Sequence, residues 1–423
     1  MRRRPVLLLF LVFAVMHVAL LPQWVFSGDS YRYAVAALRL TGTPEGAAHA
    51  EALRAYCSAQ DLQPYADCLA DVPAGLRPYG ERYESIFAAR PGYPLLTAPL
   101  VLALGVLPGM WLTGLALSVV SAWLVGLLLR EAGYGPRAVL GGQALLLFGP
   151  LGYWSMRPLT EGAVLACVLA CTLGAYRLVS GRPSGAWVPL GVGFGVLAGV
   201  KYSSALMVGV GLGVAGLVLL VRTHLVRPDL VRTRKAARHL AVAGASGVAG
   251  LAGLSWLLGL PGPAVAAQDL LTEHFTRPDV ANPGTRIAML AVRYWAEWAR
   301  DETAFVVLLG LAGWLLWRRG DARLAVTVAA AGAVGFLTAS ALPGANELDR
   351  LWVLMWLPVV VGLPGLGRFV GPRTTREEGP EWSPPLRSLP GTRTAGAAPA
   401  EAAPAGAAPA GAAPAGAAGG QPS

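Results

Sequence analysis

The sequence predicts an all-α polytopic membrane protein, and three observations carry that prediction. Hydrophobic residues make up 55% of the 423 positions and charged residues only 14%, with a mean hydropathy of +0.52. A soluble chain carries about 25% charged residues, so this one cannot cover its own surface with polar side chains. The apolar residues also gather into runs near the length of about 20 that crosses roughly 30 Å of hydrocarbon as a helix. This excludes a cytosolic enzyme, a nucleic-acid-binding domain and a disordered scaffold. The net charge of +10 follows from basic loops facing the cytoplasm and implies no nucleic-acid partner. Of the 34 basic residues only Lys201 and Lys235 are lysines, a skew in residue usage without a functional reading.

The elements follow in order. Arg2-Arg3-Arg4 precedes an apolar run from Pro5 to Phe26, too long for an ordinary signal segment, and the arginines hold the N-terminus inside. Residues 27–90 form a long polar external loop in which Tyr33, Ala36 and Ala37 begin an amphipathic helix. Further spans are expected at Trp111–Leu129, Ala138–Trp154, Gly162–Val179, Trp187–Val200, Ala205–Val221, Leu240–Leu260, Ala304–Trp317, Leu324–Leu342 and Leu351–Leu366. Residues 261–303 form a second long external loop. The basic segments at 130–137, 177–182, 222–239, 318–323 and 368–376 all face inside only if Pro91–Leu107 does not cross. That stretch is therefore expected to be a re-entrant or interfacial helix. The count is about ten transmembrane helices, with both termini cytoplasmic. Residues 1–370 make the membrane domain. Residues 371–423 carry a repeat of Ala, Pro and Gly that cannot bury enough apolar surface to fold, and read as a disordered cytoplasmic tail.

Cys57 and Cys68 share the first external loop, where an oxidising compartment favours a disulfide between them. Cys167 and Cys171 lie on one face of a span and read as small packing residues. No Cys/His set has zinc-ligand spacing.

Most acidic residues outside the tail fall in the external segments, so any active site faces outward. Asp29 stands just past span 1, behind Gly28. It reads either as a general base at the mouth of the bundle or as a helix cap. Glu161, in the hairpin Arg157-Pro158-Leu159-Thr160-Glu161, divides in the same way, and Arg157 can hold a phosphate through two hydrogen bonds. Lys201 interrupts an apolar run. It either snorkels to the interface or faces a functional cavity. Arg350 opens the last span, as an interface anchor or a phosphate ligand. Arg286, Arg293 and Arg300 share a helical face near Trp295 and Trp298, as in a helix lying on lipid headgroups. His274 stands in the same loop. Arg90-Pro91-Gly92-Tyr93-Pro94 fixes the backbone sharply before the re-entrant helix.

Taken in order, these stretches resemble the membrane glycosyltransferases of the GT-C type, which use polyprenyl-phosphate sugars and include protein O-mannosyltransferases and aminoarabinose transferases. The resemblance covers about residues 1–370. It rests on Gly28-Asp29-Ser30-Tyr31-Arg32-Tyr33, on Arg90-Pro91-Gly92-Tyr93-Pro94-Leu95-Leu96, on the Arg157 to Glu161 hairpin, on Leu197-Ala198-Gly199-Val200-Lys201-Tyr202, and on Arg350-Leu351-Trp352 before Pro358. It implies inverting transfer of a hexosyl or pentosyl group, as in a mannosyltransferase, from a polyprenyl-phosphate donor on the outer face of the cytoplasmic membrane. The acceptor would be a hydroxyl of a lipid, a glycan or a protein. Asp29 would be the base and Glu161 the second acid. Arg157, Lys201 and Arg350 would hold the donor phosphate, while Tyr31, Tyr33, Arg90, Tyr93 and His274 would contact substrate. Many relatives carry two adjacent acids where this chain has Asp29-Ser30, and the hairpin holds one acid rather than a pair. The residues fix no cofactor and leave a divalent cation, Mg or Mn, open. The competing classes are a transporter or flippase of a lipid-linked envelope precursor and a non-enzymatic assembly protein.

Overall fold

In a computed structural model the described residues are 4–19, 26–59, 64–72, 76, 80–226, 231–318, 321–343 and 348–366. The tail expected to be disordered, 371–423, lies outside them. The secondary structure of the described residues is helical throughout. Helix α1 (Arg4–Ala19) is followed by four helices of the first long loop: α2 (Gly28–Leu40), α3 (Glu45–Ser58), α4 (Tyr65–Asp71) and α5 (Glu81–Ala88). Next come α6 (Gly92–Leu104), α7 (Val106–Glu131), α8 (Pro136–Phe148), α9 (Pro150–Met156), α10 (Glu161–Val179), α11 (Trp187–Val226) and α12 (Val231–Leu257). The second long loop holds α13 (Pro263–Leu271) and α14 (Pro283–Asp301). Helices α15 (Thr303–Arg318), α16 (Ala322–Ala341), α17 (Leu348–Trp352) and α18 (Leu357–Gly362) complete the order.

Among the described residues, six helical stretches are long and apolar enough to cross a membrane: Val106–Glu131, Glu161–Val179, Pro183–Leu225, Thr233–Leu257, Ala322–Ala341 and Asp349–Leu366. Helices α1 and α15 are apolar but shorter. Helix α10 sits at the centre, buried along nearly its whole length. Helices α7, both halves of α11, and α16 surround it. Lipid gives apolar helices no hydrophobic reason to associate, so close backbone approach by small residues does that work. A Cβ on Gly216 would lie 2.4 Å from the Ala241 nitrogen, and one on Gly244 would lie 2.4 Å from the Gly213 nitrogen, so α11 and α12 touch backbone to backbone.

Helix α11 is two helices. Lys201 has φ −160° and ψ 85°, outside the helical region. The Phe194 ring comes within 3.5 Å of the position a Cβ on Gly209 would take. In a straight helix, at 1.5 Å per residue, those positions would stand about 22 Å apart. The chain therefore folds back at Lys201, where a hairpin at 201–204 is expected.

One expectation about span continuity needs correction. Ala138–Trp154 is not one helix, because Gly149 (φ −93°, ψ −174°) separates α8 from α9 and Pro150 offers no amide hydrogen to bridge the break. The last run, from Leu351, is split into α17, a 3-10 turn, α18 and a second 3-10 turn, with Pro358 and Pro364 inside it. Pro91–Leu107 yields the short helix α6, which turns 75° from α5 and stops at Gly105, whose φ of 85° suits glycine. Helix α7 then folds back on α6 so closely that a Cβ on Gly109 would meet the Val101 nitrogen at 2.6 Å.

Candidate active site

The site assembles from five separated parts of the chain. In α2 the helix cap is Ser27, not Asp29. Ser27 Oγ accepts from the Ser30 amide at 3.3 Å, and Ser30 Oγ accepts from the Ser27 amide at 3.2 Å, a reciprocal capping box. With the cap filled, the Asp29 carboxylate, one residue into the helix, faces Arg350, whose Nη2 donates to Asp29 Oδ2 at 3.0 Å. Arg350 is therefore tied into the site rather than anchored at an interface.

Glu161 opens α10, and Thr160 makes no side-chain cap bond there. Its hydroxyl instead donates to Glu161 Oε2 at 3.5 Å. Lys201 does not snorkel. The fold-back aims its ammonium at Glu161, 3.6 Å from Oε1, with the two side chains 11% and 8% exposed. Lys201 also stands within electrostatic reach of Arg90, Arg350 and Asp29. Arg90 Nη1 donates to the Tyr33 hydroxyl at 3.4 Å, and the Tyr33 ring packs edge-on against Tyr93, 5.2 Å between centres. Burial raises the Tyr33 hydroxyl above its ordinary range, with Arg90 opposing.

Backbone contact holds the parts in register. A Cβ on Gly92 would lie 2.6 Å from the backbone of Gly199 and Val200, so the start of α6 rests directly on the turn that carries Lys201. Three cations (Arg90, Lys201, Arg350) thus surround two carboxylates (Asp29, Glu161). Two buried polar atoms here, the Tyr93 hydroxyl and Arg90 Nε, have no hydrogen-bond partner among the described residues. Buried polar groups are normally satisfied, so both are suited to accept a substrate oxygen as partner.

The remaining expected residues are placed differently. Arg157 is buried, with its guanidinium 4.5 Å from the Trp154 ring centre and 4.8 Å from that of Tyr153. It also donates to the Tyr153 hydroxyl. Tyr31 points away from Asp29, and its hydroxyl meets His49 Nδ1 at 2.7 Å. His274 Nδ1 pairs with Asp269 at 3.0 Å, and its ring stands edge-on to Tyr83 at 4.7 Å. Residues 273–275 all have positive φ, a costly conformation for non-glycine residues, and it is this turn that presents His274 to Tyr83. Cys57 and Cys68 are disulfide-bonded, while Cys167 and Cys171 are buried free thiols.

Sequence reading missed Asp269 and gave Tyr202 and Arg82 no role of their own. Tyr202 donates to the Pro261 carbonyl and so ties the Lys201 turn to the second loop. Asp269, on α13, is within electrostatic reach of Arg90 and Asp29, and burial pushes its carboxyl above the ordinary value against the pull of His274. Arg82 donates to Asp279 at 2.8 Å and lies over the Phe275 ring at 4.4 Å, which docks the second loop on α5. Only tertiary contact makes these residues informative. Among the described residues no group of three or more His, Cys, Asp or Glu is arranged to hold a metal ion. Comparisons with protein-family models, with curated proteins and with solved structures find no match.

Proposed function

We propose that this protein is an inverting glycosyltransferase that moves a sugar from a polyprenyl-phosphate donor to an acceptor hydroxyl at the outer face of the cytoplasmic membrane. One observation carries the reading. Asp29, Arg90, Glu161, Lys201 and Arg350, scattered over some 320 positions, converge on one cluster of paired charges. In the reaction the acceptor oxygen attacks the anomeric carbon while the bond from that carbon to the phosphate oxygen breaks. The bonding pair leaves with the phosphate, and the acceptor proton passes to a carboxylate. A lipid phosphate leaves at bilayer depth, where fixed cations stabilise its growing charge; Lys201 and Arg350 suit that task. Asp29 takes the proton, after substrate displaces Arg350 from it, and Glu161 orients Lys201. Arg157, set against Trp154 and Tyr153, supports the hairpin that carries Glu161.

In this reading about ten crossings place both termini in the cytoplasm. Pro183–Leu225 crosses twice by folding at Lys201, α1, α15 and the broken pair α8–α9 cross as well, and α6 enters without crossing. The chain break at Lys201 also suits a transporter, so the test separates the two. The chromosomal copy is deleted and complemented with wild type or with Asp29→Asn at matched membrane levels, and lipid-linked sugars and surface glycans are weighed by mass spectrometry. The expected outcome is loss of one sugar from a glycoconjugate with accumulation of its donor, restored by wild type and reduced about 100-fold or more in Asp29→Asn. Full restoration by Asp29→Asn would sink the enzymatic reading and favour the transporter.

A further inference from the structure

A second concave site borders α2 and meets the charged cluster at Tyr33 and Phe87. It is a cleft of about 730 Å³ between α2, α3 and α5. Its walls include Tyr31, Arg39, Glu45, Gly46, His49 and Phe87. The polar groups there are held in place by one another. Tyr31 and His49 share a hydrogen bond of 2.7 Å, Arg32 Nε binds Glu84 at 3.1 Å, and Glu45 stands 3.8 Å from Arg39 and 4.0 Å from His49. Two arginines balance two glutamates, so the cleft is electrically neutral. Tyr33 and Phe87 both line it, their rings 5.7 Å apart. Phe87 also lies under the Arg90 guanidinium at 5.7 Å, and Tyr33 receives the Arg90 hydrogen bond. These two rings therefore stand where the cleft meets the cluster.

We propose that this cleft is the acceptor subsite, and that the acceptor is a neutral, polyhydroxylated chain. The proposal rests on the transferase reading above. Neutrality disfavours an acidic or basic acceptor. The partly exposed Phe87 ring beside fixed donors and acceptors matches the two aspects of a sugar ring, its C–H face and its hydroxyl edge. A peptide that binds by adding to a sheet edge finds none here, because the walls are helices whose backbone groups bond internally. Length points the same way: from Asp29 to Arg39 the helix advances about 15 Å, room for several sugar units rather than one. The terminal unit would lie at Tyr33 and Phe87, with its attacking hydroxyl toward Asp29.

Gly46 makes the idea testable without disturbing the core. It lines the cleft, and a Cβ added there meets nothing within 4 Å. Gly46→Trp, with Gly46→Ala as the fitting control, is expressed in the deletion background beside Asp29→Asn, and thermal stability in detergent is compared for all three. The expected result is wild-type stability throughout, normal glycan with Gly46→Ala, and a fall of about tenfold or more in the glycan with donor accumulation for Gly46→Trp. His49→Ala should fall in the same direction. If Asp29→Asn abolishes transfer while Gly46→Trp and His49→Ala restore it fully, the transferase stands and the subsite is overturned. If none of the three alters any glycan, both readings fail. A second readout is independent of turnover: maleimide labelling of Gly46→Cys in the full-length protein. Slowing by neutral linear oligosaccharides supports the subsite, whereas slowing only by an uncharged peptide of similar length overturns it in favour of a peptide acceptor.

Discussion

Lys201 and Glu161 show what a nearly buried ion pair does to its neighbours. Each charge is expensive away from water and tolerable only because the other is 3.6 Å away, and removing one leaves the other uncompensated at a cost of about 3–5 kcal/mol. Lys201→Met and Glu161→Gln should each lower the thermal midpoint in detergent. The double variant should recover much of that loss while staying inactive, and failure of the double variant to recover would show that packing, not charge, sets the cost. Gly92 is the second sensitive residue. Its missing side chain lets α6 sit on the Lys201 turn at 2.6 Å from where a Cβ would be. Gly92→Ala is expected to cost about 1–3 kcal/mol through overpacking and to reduce transfer. An unchanged midpoint and rate would refute this account of how Lys201 is placed.

Among the elements, α3 and α4 hang from the bundle by modest contacts, and the Cys57–Cys68 bridge joins them across a short loop. Such a crosslink contributes about 2–3 kcal/mol, chiefly by restricting the unfolded chain. Cys57→Ser with Cys68→Ser should therefore raise protease sensitivity in residues 45–71 and weaken acceptor use more than donor binding, as measured by acceptor KM. Helix α14 is anchored by aromatic faces. Trp295 stacks on Phe336 at 4.5 Å and donates to Ser340 at 2.9 Å, and Trp298 lies against Trp352 at 5.6 Å. Its opposite side leaves Arg286, Arg293 and Arg300 exposed beside Met289 and Val292, the composition of a helix at a lipid surface. The second loop also carries a pH dependence. Arg82 holds the Asp279 carboxyl below its ordinary 3.8, so the unfolded segment takes up that proton first. The bridge's contribution is whole above about pH 4 and fades as pH falls through the lower, folded value. Cleavage of 276–282 by an acid-stable protease should rise over that range in wild type. Arg82→Gln should start higher and change less.

For the whole molecule, the two long polar loops gather over one charged cluster, while among the described residues six long apolar helical stretches form the body. Positive loop charge sets orientation, which puts the cluster, the cleft and the disulfide on the outer side in the proposed topology. Single cysteines report this directly, because Cys57 and Cys68 are already bonded and Cys167 and Cys171 are buried. Gly46→Cys in intact cells should react with a membrane-impermeant maleimide, and Gly133→Cys only after lysis. The reverse pattern would invert the topology and take the site to the cytoplasm.

Composition and apolar run length determined that this chain is helical and rich in membrane-crossing stretches, because hydrocarbon leaves a spanning backbone no alternative to bonding within itself. The same local logic made Asp29, Glu161, Lys201 and Arg350 conspicuous, since a charge beside a long apolar run is costly unless something answers it. Sequence did not decide what answers it. Whether Asp29 caps a helix or meets Arg350 depends on Ser27 filling the cap and on contact between residues 321 positions apart. The breaks at Gly149-Pro150 and through the last run also escaped hydropathy, which weighs side chains and not the hydrogen bonds a proline removes. Asp269 and the α2–α3–α5 cleft carry no sequence signal at all. They acquire meaning only where the fold sets Gly92 on Gly199 and lays the second loop across α5, because a site is a matter of distance in space and local sequence does not encode it.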